Sequence, residues 1–235
     1  MTSSTPSFSL RQALLTAAIA LVFGFAGAAL WSLSGLADSR TRDYLLGNPD
    51  LLPQMVQAYE AQEAEKRLAA LGPEVFVEYP GAVMGNPKGT RVLVEFSDYN
   101  CTYCAASLKD VDRLVAEDSD LKVVIREIPL QNGSEASARM ALAAAMQGKY
   151  RAFHDAMFRT RDIAAAAEAA GLDMAQAERD AASQAVSIEL ARNIELAREL
   201  GFAGTPSWVT GRKAMEGAVG YDQLKAALAG GDTAG

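Results

Sequence analysis

The chain has 235 residues, of which 50% are apolar, and a formal net charge of −7. This length allows one domain of ordinary size with attached segments, and the apolar fraction allows a sizeable core. The acidic charge is spread along the chain, which argues against nucleic-acid binding because that function needs a basic face.

The N-terminal segment has the composition of a membrane or signal helix. From Ala13 to Leu33 the sequence is apolar, apart from two glycines, one threonine and one serine. A membrane-spanning helix needs about 17–25 such residues, whereas the apolar region of a signal peptide has about 7–15. We therefore predict that residues 1–37 export the protein. Residues 13–33 then either stay as an inner-membrane anchor, which their length favours, or are removed by cleavage after Ala37.

Residues 38–72 are predicted to form a separate region with one amphipathic helix. Asn48 as the cap and Pro49 in the first helical position are typical of a helix start, and Gly72 ends the helix. An apolar stripe recurs at helical spacing along it: Leu51, Leu52, Met55, Val56 and Tyr59. Such a stripe must be buried, either on its own domain or against other copies of the chain, and we favour self-association.

The main domain, predicted over residues 73–230, begins with a β-α-β unit. Residues 75–77 predict a short strand, and residues 92–96 are apolar enough for a central strand covered on both faces. A helix to about Glu117 and a β-rich run at 121–128 follow. The unit therefore has parallel strands and a right-handed crossover.

An Ala-rich helical insert at about 134–200 interrupts the strands. The elements predicted after it are a strand at 207–210, a turn at Gly211, a return strand ending by Ala218, a closing helix at 221–229 and a tail at 231–235. The predicted fold class is thus α/β, with a β-α-β half and a β-β-α half flanking a helical insert.

Cys101 and Cys104 are the only cysteines, and they lie where the central strand meets the following helix. Helical spacing places Cys104 on a buried stripe with Leu108 and Val111, whereas Cys101 at the helix start can face solvent. Free N–H groups and the helix dipole favour a thiolate there, and such cysteines have pKa values of roughly 3.5–7.5 instead of about 8.5. We therefore predict thiol–disulfide exchange, with Cys101 as the nucleophile and Cys104 as the resolving thiol.

Other uses of the two thiols fit less well. Zinc usually needs four ligands, and a disulfide across two residues closes too short a loop to stabilise much. We predict no cofactor and no resident metal. A copper-binding or copper-protective thiol protein stays as the alternative, since thiolates suit Cu(I) and Met84 and Met215 are potential soft ligands.

Three further positions bear on the chemistry. Glu95 interrupts the central strand. It is either a buried carboxylate that exchanges protons with the cysteine pair, with a raised pKa, or a partly exposed strand residue. The Thr205-Pro206 bond is either trans or cis. If it is cis, this topology places it beside the cysteines, where Thr205 can bind the backbone of a substrate peptide. His154, the only histidine, is predicted on a helix surface.

Three features in this order resemble the DsbA-like branch of the thioredoxin superfamily. They are the segment Phe96 to Cys104, with sequence FSDYNCTYC, the Ala-rich insert, and Gly204-Thr205-Pro206-Ser207. The resemblance covers about residues 75–228. It implies a thioredoxin fold with an inserted helical domain, a cis Thr205-Pro206 bond and periplasmic dithiol–disulfide oxidoreductase activity. It also implies that Cys101 is the nucleophile and that Glu95 lies where the family often keeps a buried acid.

The segment from Tyr44 to Leu52 is similar to the N-terminal helix region of the suppressor-of-copper-sensitivity protein C (ScsC) family, some members of which are trimeric isomerases. We therefore predict a homo-oligomer, such as a trimer, formed through residues 38–72. The expected partners are client proteins and a membrane redox partner.

The residues around the predicted site differ from those of the strongly oxidising members of the DsbA-like branch. The dipeptide between the cysteines is Thr-Tyr, where those members have Pro-His. A threonine before the proline is more typical of isomerase-type branches. Between a protein disulfide oxidase and an isomerase, these residues favour the isomerase.

Overall fold

The computed structural model describes residues 10–33 and 36–230, and the chain divides into two compact units, Met1–Gln57 and Ala58–Gly235. Helices α1 (Leu10–Leu33) and α2 (Leu36–Gly47) belong to the first unit, and α3 (Leu51–Leu71) continues into the second. Helix α1 is long and apolar enough to cross a membrane, a property that anchors and signal sequences share. Gly35, near the predicted cleavage site, and the predicted tail at 231–235 lie outside the described residues.

The start of α3 differs from the prediction. The Asn48 side chain donates to the Tyr44 carbonyl at 2.7 Å, so it closes α2 instead of capping α3. The backbone N–H of Leu51 bonds to the Asn48 carbonyl at 3.1 Å, and α3 begins at Leu51. Four members of the predicted apolar stripe have exposed side chains: Leu52, Met55, Val56 and Tyr59.

A mixed sheet forms the centre of the second unit. Its strands are β1 (Val83–Gly85), β2 (Arg91–Ser97), β3 (Leu121–Glu127), β4 (Ser207–Thr210) and β5 (Lys213–Glu216), in the order β1-β3-β2-β4-β5. Strands β2 and β3 run parallel, and the other neighbours are antiparallel. Helix α4 (Thr102–Glu117) connects β2 to β3, which gives the predicted β-α-β unit.

The first strand is not where the sequence placed it. Residues Gly72–Phe76 form a 3-10 helix, and the edge strand is Val83–Gly85. Pro73 has no N–H to donate to a sheet, which disfavours a strand that begins beside it. Gly85 has φ +75, and a Cβ there would lie 2.4 Å from the Leu121 carbonyl oxygen. Only glycine therefore lets β1 approach the start of β3 this closely.

The predicted helical insert consists of five helices: α5 (Glu135–Met146), α6 (Tyr150–Thr160), α7 (Ile163–Ala170), α8 (Met174–Ala181) and α9 (Gln184–Leu200). Side chains of Asp162, Asp173 and Ser183 accept hydrogen bonds from the first turns of α7, α8 and α9. These caps satisfy N–H groups that would otherwise lack partners, and they separate short helices in a continuously Ala-rich sequence. Helix α10 (Tyr221–Ala229) closes the chain after β5.

Arg126 on β3 holds the 3-10 helix against the sheet. Its side chain is fully buried, and burial lowers its pKa to about 10, so the guanidinium is charged at neutral pH. Its five polar contacts are the carbonyls of Glu74, Val75 and Val77, the Asn193 side chain at 2.7 Å and Glu189 at 3.3 Å. These bonds explain why the segment curls around the guanidinium.

We expect Arg126→Met to destabilise the protein by about 3–5 kcal/mol, because it leaves a buried carboxylate and several buried carbonyls without their partner. Arg192→Met is the matched control, since Arg192 makes an exposed ion pair with Glu74 that contributes about 0–1 kcal/mol. Denaturant unfolding of the full chain in mild detergent measures both variants. Equal losses would contradict the role given to Arg126.

Candidate active site around the cysteine pair

Cys101 lies in the loop between β2 and α4, at the N-cap of the helix. Its backbone is extended, with φ −82 and ψ 121, and its N–H bonds to the Asp98 carbonyl at 3.0 Å. Its Sγ donates to the Thr205 carbonyl at 3.2 Å. The side chain is 4% exposed, so the prediction that Cys101 faces solvent is wrong. Thr205, which is distant in sequence, lies against the sulfur.

The two thiols have opposite acid strengths. Burial alone would raise the pKa of Cys101, but hydrogen bonds from the Thr205 side chain and from the Cys104 and Tyr103 backbone outweigh it, and the pKa is lowered. Cys104 lies inside the first turn of α4, where burial and the charge of Glu95 raise its pKa. The positions of the two sulfurs at the start of one helix therefore make Cys101 the more acidic thiol and Cys104 the less acidic one.

The bond between Thr205 and Pro206 is cis, and the sheet brings it to the cysteine pair. Strand β4 pairs with β2 through Phe96↔Ser207 and Glu95↔Trp208, so the residues just before β4 lie at the end of β2 that leads to Cys101. The N–H of Gly217 donates to the Pro206 carbonyl at 2.8 Å. This bond fixes the loop from the side of β5.

Glu95 is 3% exposed, so it is not the partly exposed strand residue of the alternative prediction. Burial raises its pKa to about 8, and the negative charges of Glu127 and Cys101 add to the shift. Burial likewise raises the pKa of Glu127 to about 8. Glu95 can therefore hold a proton at neutral pH close to Cys104, on whose pKa its charge acts.

Sequence reasoning missed Asp98, which organises the loop before Cys101. One carboxylate oxygen accepts from the N–H of Asn100 at 2.8 Å. The other accepts from the N–H groups of Leu130 and Gln131 and from the Ser134 hydroxyl, at 2.8, 2.9 and 3.0 Å. Asp98 thus ties the cysteine loop to the segment that enters the insert. The available signal was an aspartate two residues before an asparagine at a strand end, which is typical of an Asx turn.

The prediction for His154 is wrong, because this residue is buried in α6 and not on its surface. Burial lowers its pKa to about 3. The buried face of α6 includes His154 together with Tyr150, Phe153 and Met157. The imidazole is accommodated because two tyrosine hydroxyls lie within hydrogen-bond distance of its Nδ1.

The potential copper ligands do not come together. Met84 lies on β1 and Met215 on β5, at opposite edges of the sheet. With strands about 4.8 Å apart, roughly 19 Å separates them, so the two sulfurs cannot share one ion. Within residues 10–33 and 36–230, no three His, Cys, Asp or Glu side chains form a group that could hold a metal ion.

Two family models match the chain. The model of the DSBA-like thioredoxin domain matches residues 92–229. The model of the copper resistance protein ScsC N-terminal domain matches residues 41–66. The first match contains Glu95, both cysteines, the helical insert and the Thr205-Pro206 loop, and the second contains the apolar stripe of α3.

Solved structures share the fold of the second unit. A thioredoxin-like oxidoreductase from Silicibacter pomeroyi DSS-3 is 39% identical, with a TM-score of 0.64, over 67% of this chain and 95% of that one. The catalytic domain of Proteus mirabilis ScsC is 25% identical, with a TM-score of 0.60, over 70% and 96%. The thiol-disulfide exchange protein alpha-DsbA2 from Wolbachia pipientis, at 23% identity and a TM-score of 0.65 over 73% and 97%, shares the fold. The predicted thioredoxin fold with a helical insert is confirmed.

The curated relatives are longer proteins. The Na(+)/H(+) antiporter NhaA 1 of Salinispora arenicola is 24% identical over 62% of this chain and 24% of its own length. The antiporter NhaA of Herminiimonas arsenicoxydans is 33% identical over 56% of this chain and 22% of its own length. The chain therefore spans about a quarter of the length of these relatives.

The buried carboxyl of Glu95 should make stability depend on pH. Its pKa rises from about 4.3 in the unfolded chain to about 8 in the folded one, so its contribution is complete below pH 4.3 and is lost as the pH rises through 8. We expect the free energy of unfolding of Glu95→Gln, relative to that of the wild type, to increase across this pH range by up to about 1.4 kcal/mol per pH unit. Unfolding of the reduced full chain at several pH values measures this difference.

Glu199→Gln, on the exposed surface of α9, is the control for loss of a carboxylate. A constant difference between Glu95→Gln and the wild type from pH 5 to pH 8 would show that Glu95 does not hold its proton in the folded protein.

Proposed function

This chain belongs to the DSBA-like thioredoxin domain family of thiol–disulfide oxidoreductases, and we propose that it acts mainly as a disulfide isomerase on exported proteins. One observation carries the proposal: both cysteines are buried, but Cys101, at the N-cap of α4 and against the Thr205 carbonyl, has a lowered pKa, whereas Cys104 has a raised one. Thiol–disulfide exchange needs this asymmetry, because the thiolate is the attacking species and the second thiol must wait.

The proposed cycle begins when the Cys101 thiolate attacks one sulfur of a client disulfide. The S–S bond of the client breaks, a mixed disulfide forms, and the second client sulfur leaves as a thiolate. In isomerisation another client thiolate attacks the mixed disulfide, which restores the Cys101 thiolate and leaves the client with a rearranged bond. No net electrons are transferred.

Cys104 provides the second exit from the mixed disulfide. It loses its proton to the ionised form of Glu95 and attacks Cys101 Sγ, so that the client leaves with both sulfurs reduced and the enzyme holds the Cys101–Cys104 disulfide. We propose this proton-acceptor role for Glu95 because its carboxyl is buried, its charge acts on Cys104, and its pKa lies close to neutral. The same steps in reverse oxidise a client dithiol and return the proton from Glu95 to Cys104.

Thr205 and Pro206 are proposed to bind the client backbone. The Thr205 carbonyl faces Cys101 Sγ, so a peptide that pairs with Thr205 would present its own sulfur to Cys101. Pro206 has no N–H and therefore adds no competing donor beside the sulfur.

The direction of exchange is inferred from the dipeptide between the cysteines. Thr102 and Tyr103 carry no cationic group, and the side chain of Tyr103 is exposed. Neutral hydrogen-bond donors, but no dipeptide cation, therefore stabilise the thiolate. A less stabilised reduced form oxidises clients less strongly, which favours isomerisation.

We propose that the active domain works in the periplasm and that residues 13–33 tether it to the inner membrane, with cleavage after Ala37 as the other outcome. Support comes from the apolar α1 and from a structural neighbour described as a periplasmic thioredoxin-like protein from Salmonella enterica. The proposed partners are client proteins and a membrane redox partner. The chain is proposed to divide into a signal or anchor segment (1–37), an oligomerisation region (38–72) and the DsbA-like domain (73–230), whose helical insert covers about 134–200.

Residues 38–72 are proposed to join copies of the chain, as a trimer. The exposed apolar stripe on α3 and the ScsC N-terminal match at 41–66 support this assembly. Several active sites facing one client would favour repeated exchange over a single oxidation.

Trapping tests the proposed catalytic cycle. Cys104→Ala should accumulate mixed disulfides with a scrambled-disulfide substrate and with periplasmic clients, because the exit through Cys104 is lost and only a second client thiolate can still release them. Cys101→Ala is the matched control and should trap none. Non-reducing electrophoresis measures both.

If Cys104→Ala traps nothing while Cys101 remains reactive toward iodoacetamide, the cycle is wrong. Tight stoichiometric Cu(I) binding by the wild type, without turnover of the scrambled substrate, would support the copper-binding alternative instead.

The assembly is tested on the α3 stripe. The full chain in mild detergent should be oligomeric by light scattering, and Leu52→Lys combined with Met55→Lys should make it monomeric, because charge replaces the exposed apolar contact. Gln57→Lys, on the opposite side of α3, should leave the mass unchanged. A monomeric wild type at high protein concentration would refute this assembly.

A further inference from the structure

A buried polar cluster lies behind the loop that carries Cys101, and the cycle above does not use it. Its members are Tyr99, Glu127, Tyr150 and His154, each about 1% exposed. Tyr99 belongs to the loop between β2 and α4, and Glu127 ends β3. Tyr150 and His154 belong to α6 of the helical insert. The cluster therefore joins three parts of the fold at one point.

The hydroxyls of Tyr99 and Tyr150 make parallel contacts. Both donate to Oε1 of Glu127, at 2.9 Å from Tyr99 and 2.7 Å from Tyr150. Both also lie near Nδ1 of His154, at 2.9 Å and 3.2 Å. By these contacts, the two tyrosines are equivalent.

The protonation of His154 bears on how the Tyr99 hydroxyl is held. Burial lowers the pKa of His154 to about 3, so the imidazole is neutral at neutral pH. Where both hydroxyl hydrogens go to Glu127, a hydrogen bond to His154 needs the imidazole hydrogen on Nδ1. The Tyr99 oxygen is the nearer of the two to Nδ1. Tyr99 thus connects Glu127 on β3 to His154 in the insert.

The main chain of Tyr99 is held from the same side. Its carbonyl accepts from the guanidinium of Arg161, which follows α6 with φ 57. Its ring packs edge-on against Phe153, with ring centres 6.2 Å apart. It also packs at an interplanar angle of 45° against Phe158, with ring centres 5.0 Å apart. Both ends of the residue are therefore anchored to the helical insert.

Tyr99 lies two residues before Cys101, inside the turn that the Cys101 N–H closes on the Asp98 carbonyl at 3.0 Å. The position of this turn sets where the sulfur lies relative to the N–H groups of Tyr103 and Cys104. Those donors favour the thiolate only at hydrogen-bond distance. Tyr150 makes the same polar contacts but lies outside this turn.

We propose that Tyr99 is a positioning residue through which Glu127 and the helical insert set the reactivity of Cys101. The proposal rests on the proposed function of Cys101 as the nucleophile and deepens it. Tyr99 acts by holding the loop and is not assigned a contact with the client.

The two tyrosines provide a matched test. Tyr99→Phe and Tyr150→Phe each remove one hydroxyl from the same two partners, Glu127 and His154, so they should lower thermal stability to a similar extent. Tyr99→Phe should also raise the pKa of Cys101 and lower its thiolate population at neutral pH by about two- to tenfold, the effect of one hydrogen bond. Tyr150→Phe should leave the Cys101 pKa at the wild-type value. The pH dependence of alkylation of the reduced full chain by iodoacetamide measures it.

Equal shifts in the two variants, or no shift in a folded Tyr99→Phe, would overturn the proposal. If Tyr99→Phe does not fold, Arg161→Asn tests the same anchor, because Arg161 is exposed and asparagine tolerates positive φ. Arg161→Asn should raise the pKa of Cys101. Arg159→Asn, which replaces another exposed arginine, is the control and should leave this pKa unchanged. No shift in Arg161→Asn would overturn the proposal.

Alkylation needs no client, so this test is independent of turnover. If the wild-type protein fails to rearrange a scrambled substrate, the proposed function is refuted. The Cys101 pKa values of Tyr99→Phe and Tyr150→Phe can still be compared in that case.

Discussion

The contact between Cys101 Sγ and the Thr205 carbonyl joins two parts of the chain that are distant in sequence, and the rest of the site depends on it. The two residues are 104 positions apart and lie 3.2 Å from each other. Their approach is set by the antiparallel register of β2 and β4, in which Phe96 faces Ser207. The helical insert can therefore be long without disturbing the site, because the sheet alone returns the chain to β2. A shift of this register by one residue would turn every side chain of β4 to the other face of the sheet.

Burial of Cys104, together with the nearby Glu95 carboxyl, raises its pKa and leaves Cys101 as the more acidic thiol. Glu95 and Glu127 lie on the same face of neighbouring parallel strands, since Ser97 pairs with Glu127 and Glu95 is two residues before Ser97. Two charges this close in an apolar interior are costly, and burial raises the pKa of both carboxyls to about 8. The same environment raises the pKa of Cys104. Cys101 is also buried, but hydrogen bonds from Thr205 and from backbone donors at its N-cap position outweigh the effect of burial.

Local patterns predicted the elements that are regular and well covered. Strands β2, β3 and β4 were recognisable as apolar runs, and α10 was placed at its observed bounds. The three-residue β1 is too short to show a period, and the 3-10 helix depends on Arg126, a residue type that usually lies on the surface. The burial of Cys101 could not be predicted locally, because it depends on Thr205. His154 was misplaced because only one of its two hydroxyl partners, Tyr150, lies on the same helix, and the other, Tyr99, comes from the distant loop before α4.

The pairing of donors and acceptors around Cys101 also limits what the thiolate can do. Within the described site, its lowered pKa comes from backbone N–H groups and from Thr205, which are neutral, and not from an ion pair. A thiolate that is stabilised strongly is populated but becomes a weaker nucleophile, and attack is fastest when the thiol pKa is near the ambient pH. Neutral donors in a fixed turn keep the sulfur reactive in both attack and release. The proposed isomerisation would require both steps on the same client, so the hydrogen bonds that position the loop before Cys101 matter as much as the sequence between the cysteines.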